Sequence, residues 1–284
     1  MALTGTEYLR SVPSEALRAK MSGDYLVIAG GAWVSITDTT TMTTKAYEAL
    51  ASPLSDTVDI VNGVFFWGSV SGGFGRIEWV TVPGGVAGNA YLGGSSTGYS
   101  AMCGSGDYLA VGGIQRMQVS TKTLLSTPAW SGIANLTINA KVGTTIYNVD
   151  GARQVRSIDP AANSYSSVIT TLSAAPVDGR GATIGNTVHF IVDASTRLSW
   201  DSVANTQSVW ALTPPGAPTV SYHVPGSDGY LYSVVDSDHV LVVDPATGRW
   251  SNETVPTSRN RSSFAIASGG GKIWIGSSKP NPWP

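Results

Sequence analysis

Three histidines, one cysteine and a scatter of carboxylates are the side chains in this sequence with the widest chemical reach. His189, His223 and His239 stand far apart and lack the close spacing with which ligands gather around a metal. His189 lies in the apolar run His189-Phe190-Ile191-Val192, the setting of a structural core histidine. Cys103 is the only cysteine, so neither an internal disulfide nor a cysteine-rich zinc site can form. Gly94-Ser95-Ser96-Thr97-Gly98 matches the spacing of a nucleophilic serine. It lies in a Gly/Ser-rich loop, however, and a nucleophile elbow needs a strand before it and a helix after. Ser71-Gly72-Gly73-Phe74-Gly75 lacks the Lys-Ser/Thr pair and the helix of a phosphate cradle. Asp236 and Asp238 sit in hairpin-turn context, where carboxylates are ordinarily solvated. No catalytic residue, metal ligand or cofactor is expected.

Composition narrows the partners. Among 284 residues, 17 Lys and Arg face 19 Asp and Glu, leaving no cationic excess to displace phosphate counterions, so nucleic acid is not expected. Apolar runs such as Gly63-Val64-Phe65-Phe66-Trp67 are far shorter than the roughly 20 residues that span a bilayer, so membrane insertion is not expected either. The start, Met1-Ala2-Leu3-Thr4-Gly5-Thr6-Glu7, has neither a basic nor an apolar leader region, and no secretory signal is expected.

The elements that must position any site come from an internal repeat. Tyr147-Asn148-Val149 through Asp159-Pro160 and Tyr165 recurs as Tyr232-Ser233-Val234 through Asp244-Pro245 and Trp250 at an offset of 85. Ser22-Gly23-Asp24-Tyr25-Leu26 recurs residue for residue as Ser105-Gly106-Asp107-Tyr108-Leu109 at an offset of 83. Both offsets are two units of about 42 residues, a period of stacked or radial repeats. Counting on from the ring-bearing residue of each second strand gives the anchors Asp38, Glu78, Thr121, Asp159, Asp201 and Asp244. A seventh unit opens at Gly270-Gly271-Lys272-Ile273-Trp274 and has no anchor.

Within each unit, short apolar runs such as Tyr25-Leu26-Val27-Ile28-Ala29 are punctuated by Gly, Asn-Ser and Asp-Gly turns, the signature of strands. Helical spacing is confined to Ser14-Glu15-Ala16-Leu17-Arg18-Ala19-Lys20, where one or two turns could form. Four-strand units of this length cannot bury both faces alone and pack radially into an all-β propeller. Seven blades are expected, beginning near residues 21, 57, 98, 136, 181, 218 and 261, within one domain spanning 1–284. Residues 1–20 supply a closing strand and lead-in, with Thr6-Glu7-Tyr8-Leu9-Arg10-Ser11-Val12-Pro13 pairing the last blade so that no strand edge is left open. Six blades with a stray C-terminal strand is the alternative. Each Asp anchor is expected to open a type I turn and accept backbone N–H groups.

The anchors with their surroundings resemble kelch repeats, best in the sixth unit with Asp244-Pro245, Trp250, Pro256 and Arg259, and again in the fourth with Asp159-Pro160, Tyr165, Pro176 and Arg180. The period is shorter than the usual kelch one of roughly 50, so the resemblance is to a divergent, kelch-like β-propeller. Kelch-like propellers include copper-radical oxidases, which need a Cys cross-linked to a Tyr. Cys103 reads instead as a small hydrophobe on an inner strand.

One face could recognise a partner. The loops between second and third strands carry Trp33, Phe74, Arg76, Arg116, Arg153, Arg197 and His239, and aromatic and guanidinium groups there suit acidic sugars or a protein surface. A composition low in Lys and rich in Gly, Ser, Thr and Ala resembles virion proteins of tailed bacteriophages. That resemblance implies a non-enzymatic structural or interaction propeller of the virion, a tail or capsid accessory, with other virion proteins or a host-surface glycan or protein as partners. The alternatives are a cytoplasmic location and a carbohydrate-active enzyme or oxidase that uses the axial pocket.

Overall fold

A computed structural model describes residues 18–30, 33–48, 53–71, 74–92, 102–111, 115–133, 138–176, 181–193, 195–212, 223–234, 239–254 and 264–277. The chain is a β-propeller. Blade 1 holds β1 (Arg18–Ser22), β2 (Tyr25–Gly30), β3 (Trp33–Asp38) and β4 (Thr43–Glu48). Blade 2 holds β5 (Pro53–Val61), β6 (Val64–Ser71), β7 (Phe74–Thr81) and β8 (Ala87–Tyr91). Blade 3 holds β9 (Met102–Ser105), β10 (Tyr108–Val111), β11 (Gln115–Gln118) and β12 (Thr123–Leu124). A short 3-10 turn, Ala129–Gly132, leads to blade 4 with β13 (Ile138–Val142), β14 (Thr145–Val149), β15 (Gln154–Asp159), β16 (Ser164–Tyr165) and β17 (Thr170–Thr171). Blade 5 holds β18 (Ala182–Ile184), β19 (Thr187–Ile191), β20 (Thr196–Asp201) and β21 (Thr206–Ala211). Blade 6 holds β22 (Val224–Pro225), β23 (Leu231–Val234), β24 (His239–Val243) and β25 (Trp250–Thr254). A last sheet pairs β26 (Phe264–Gly269) with β27 (Lys272–Ser277).

Each blade is an antiparallel meander in chain order, with β17 added beside β15 in blade 4. The described residues therefore build six complete blades, not the seven expected, because the sheet after blade 6 has two strands. The expected closing strand at residues 6–13 lies outside the described residues. The helical turn expected up to Lys20 is corrected at its end: Arg18, Ala19 and Lys20 belong to β1, paired to Ala29, Ile28 and Val27. Pairing with β2 and burial of Ala19 override the weak helical spacing.

Apolar clusters between neighbouring sheets lock the ring. Second strands are buried on both sides, and alternation divides their residues between neighbours. Val27 and Ala29 pack with Val58, Phe65 and Trp67 of blade 2, while Leu26 and Ile28 pack with Ala267 of the two-stranded sheet. This is why those strands read as unbroken apolar runs. Each buried Val, Leu, Ile or Phe contributes about 1.5–3 kcal/mol. Cys103 lies buried on β9 among Ala110, Trp130, Ile146 and Ile158, as a small hydrophobe would.

Turn chemistry repeats with the blades. Gly23, Gly106, Gly143 and Gly185 lead two-residue hairpins between first and second strands with φ between +56° and +58°, where a side chain would be strained. Between third and fourth strands, Asp159 Oδ1 accepts the N–H of Ala161 and Ala162 at 2.9 and 3.0 Å, and Asp201 does the same for Val203 and Ala204 at 2.8 Å each. Asp38 and Asp244 hold equivalent turns. Four residues on from each anchor, Met42, Asn163, Asn205 and Gly248 take positive φ. Two of the six expected anchors are corrected. Glu78 is a buried mid-strand residue of β7, and blade 2 turns at Thr81, whose carbonyl accepts the Gly85 N–H at 2.8 Å. In blade 3 the register puts Gln118, not Thr121, at the anchor, with Lys122 in the left-handed place.

Among the described residues no helix is long and apolar enough to cross a membrane.

Candidate functional site

In the seam between blades 5 and 6, polar side chains of both blades converge. In the β19–β20 pair, His189 stands opposite Ser199 and Ile191 opposite Arg197. Val188, Phe190, Leu198 and Trp200 pack toward blade 4, so alternation turns His189, Ile191, Arg197 and Ser199 toward blade 6. There Ile191 joins Leu231, Leu241 and Val243 of blade 6. Arg197 is fully buried at 0% exposure. Its Nε donates to His223 Nε2 at 2.8 Å, and its Nη1 donates to the carbonyls of Asp193 and Thr196 at 2.6 and 2.9 Å. Among the described residues no acceptor meets Nη2.

Arginine can only donate, so His223 Nε2 must be the unprotonated, accepting nitrogen. The imidazole proton therefore sits on Nδ1 and is donated to Ser233 Oγ. Burial first, then the charges of Arg197 and His189, hold His223 down at about 3. Burial holds His189 down at about 4. Ser199 Oγ accepts the Trp210 Nε1–H at 3.0 Å and lies 2.8 Å from His189 Nδ1. Burial also lowers Arg197 to about 10, opposed by Asp193, so it stays charged at neutral pH. The Asp193 carboxylate is itself engaged by the Ser195 N–H and hydroxyl, at 2.8 and 3.0 Å, and is held below its usual range.

The His223–Ser233 pair is unsuited to nucleophilic catalysis. A general base takes the proton of its serine, whereas His223 gives its own proton to Ser233 and has its other nitrogen occupied by Arg197. Among the described residues no three or more of His, Cys, Asp and Glu gather where a metal could be held. The Gly94–Gly98 match and the Asp236 and Asp238 pair lie outside the described residues.

The seven residues expected at one face diverge in placement. Trp33 opens β3 and is 43% exposed, Phe74 opens β7, and His239 opens β24 opposite Thr254. Arg76, opposite Ser69, sends Nη1 toward Asn89 Oδ1 at 3.4 Å. Arg116, opposite Ala110, donates to Ser126 Oγ at 3.0 Å and across to the Pro160 carbonyl of blade 4 at 2.9 Å. Arg153 precedes β15 with φ +66° and donates to the Ser173 carbonyl at 3.0 Å. Arg197, expected on a solvent-facing loop, is instead inside a seam. These arginines reach four separate places because their positions along the third strands are not equivalent. His223 was noted in the sequence only as one of three scattered histidines, and Ser199 and Ser233 were not singled out. The parity of Arg197 and Ser199 against Leu198 and Trp200 is the signal that could have revealed half of the cluster.

Two further features surround the axis. Lys20 Nζ lies 3.5 Å from Asp59 Oδ1, and Asp59 Oδ2 accepts the Gly104 N–H at 2.8 Å, tying the inner strands of blades 1, 2 and 3. A cleft of about 440 Å³ opens at the hairpin ends of β18, β22 and β26, lined by Ile184, Gly185, Pro225, Ser227, Ser268 and Gly270 among others.

No family model matches the chain, and no curated protein matches it. The crystal structure of the computationally designed Ika8 protein is similar in fold, with a TM-score of 0.66 and 12% identity over 95% of each chain. At that identity the likeness speaks to fold alone.

Proposed function

We propose that this propeller is a non-enzymatic structural or interaction module, divergently kelch-like, serving as a tail or capsid accessory of a bacteriophage virion. One observation supports it above the others: several ionisable side chains inside the molecule are engaged in joining blades. Arg197 and His223 bridge blades 5 and 6, Arg116 bridges blades 3 and 4, and Asp59 bridges blades 2 and 3. The kelch-like ancestry rests on the Asp159-Pro160 and Asp244-Pro245 turns with Tyr165 and Trp250. The virion role rests on composition. Recognition of a partner protein or host-surface glycan would fall to Trp33 and Arg153, which stand at loop ends with much of their surface in solvent.

The test is mass spectrometry of gradient-purified, salt-washed phage particles from a host that carries the gene. The chain should co-sediment at a fixed copy number per particle. Its recovery only in the soluble fraction would refute the virion role.

A further inference from the structure

The hydrogen bonds of the seam have a polarity that leaves no room for a second proton on His223. Nε2 accepts from a guanidinium, which has nothing but donors, and Nδ1 already carries the proton it gives to Ser233. A proton added at Nε2 would replace the 2.8 Å bond with two facing N–H groups of like charge. The charges of Arg197 and His189 work in the same direction. On β20 stands the Arg197 cation, on β19 His189, and on β23 the Ser233 hydroxyl, while the Tyr232 hydroxyl turns away to Asp228 Oδ2 at 2.5 Å. β18 and β26, which flank β22, carry no titratable side chain. The one carboxylate near Arg197, Asp193, is exposed and already bonded to Ser195. Acid therefore meets no compensating negative charge inside this seam among the described residues.

We propose that the contact between blades 5 and 6 is an acid-released latch, closed by neutral His223 on Arg197 and opened when His223 takes a proton. Opening would expose the apolar surface that Ile191, Leu212, Leu231 and Leu241 now bury between the two blades. The seam between blades 1 and 2, built from Val27, Val34, Phe65 and Trp67, contains no histidine and serves as the internal control.

Amide hydrogen exchange by mass spectrometry, corrected for the intrinsic pH dependence of exchange, tests the latch. Peptides covering β19, β20 and β23 are compared with peptides covering β2 and β6, at pH 7 and pH 4.5, in the full chain and in His223→Gln. Glutamine keeps an acceptor oxygen for Arg197 and does not titrate. Each pH unit below about 6.5 favours the open, protonated seam about tenfold. Corrected exchange in the seam between blades 5 and 6 should thus rise by more than tenfold at pH 4.5, with β2 and β6 unchanged, and the rise should shrink severalfold in His223→Gln, what is left belonging to His189. An equal rise in both seams, no rise, or an undiminished rise in the variant would overturn the proposal. Should the variant not fold, the contrast between the two seams of the wild-type chain decides alone.

Discussion

Asp107 and Ser120 face each other across the hairpin end of blade 3, where Asp107 Oδ1 accepts the Ser120 N–H at 2.8 Å and Oδ2 accepts its hydroxyl. Blades 1, 4, 5 and 6 anchor this turn from within, through an Asp at its start. Blade 3 has Gln118 there, and the carboxylate arrives from the neighbouring hairpin, with Gln118 Nε2 donating to it at 3.1 Å. Hydrogen bonding from Ser120 holds the Asp107 carboxyl below its usual range. Asp107→Ala should lower the melting temperature and speed amide exchange at Val119 and Ser120. Thr121→Ala, at the position reached by counting along the repeat, should leave both unchanged.

Gly104 sits where blades 2 and 3 touch. A Cβ there would lie 1.9 Å from Val61 Cγ2. Gly104→Ala should therefore destabilise the chain by about 1–3 kcal/mol through overpacking. Val61→Ala should restore part of that loss in the double variant, giving a coupling in a urea-denaturation cycle that two independent defects would not show.

Both seam histidines make stability depend on pH in one direction. Their folded-state values lie below the ordinary 6.5, at about 4 for His189 and about 3 for His223, so the unfolded chain binds protons that the folded chain excludes. The stabilisation is full above about pH 6.5 and disappears as pH falls toward those values, at roughly 1.4 kcal/mol per pH unit for each titrating group. Urea unfolding at pH 7, 5.5 and 4.5 should show the loss, and His189→Gln should make the dependence shallower. A parallel pH dependence in variant and wild type would show that His189 does not contribute.

Arg153 and Arg116 differ in what their removal disturbs. Arg153 is exposed, makes one side-chain bond to Ser173 and occupies a left-handed backbone position at φ +66°. Arg153→Gly should leave thermal stability level or slightly raised, because glycine adopts that conformation without strain. Arg116→Ala should lower the melting temperature, since it removes the donor that reaches the Pro160 carbonyl in the next blade.

The repeat was readable where the Asp-Pro turns survive, and blades 4 and 6 superimpose in sequence because Asp159 and Asp244 perform the same task. Counting failed in blade 2 because its turn is carried by Thr81 and Gly85, and in blade 3 because the carboxylate comes from Asp107. The pairing of Arg197 with His223 was invisible for a different reason. It depends on which face of β20 a side chain takes and on which blade stands beside it, and neither is encoded in the spacing of two residues along the chain.

Leu26 and Ile28 are synthesised about 240 residues before the Ala267 that covers them. A growing chain can assemble its wedges side by side in order, but one flank of blade 1 stays wet until the β26–β27 sheet arrives. Synthesis must reach β26 before that flank is covered, so a holdase or a stalled ribosome would meet a sticky crescent with its flank on β2 exposed.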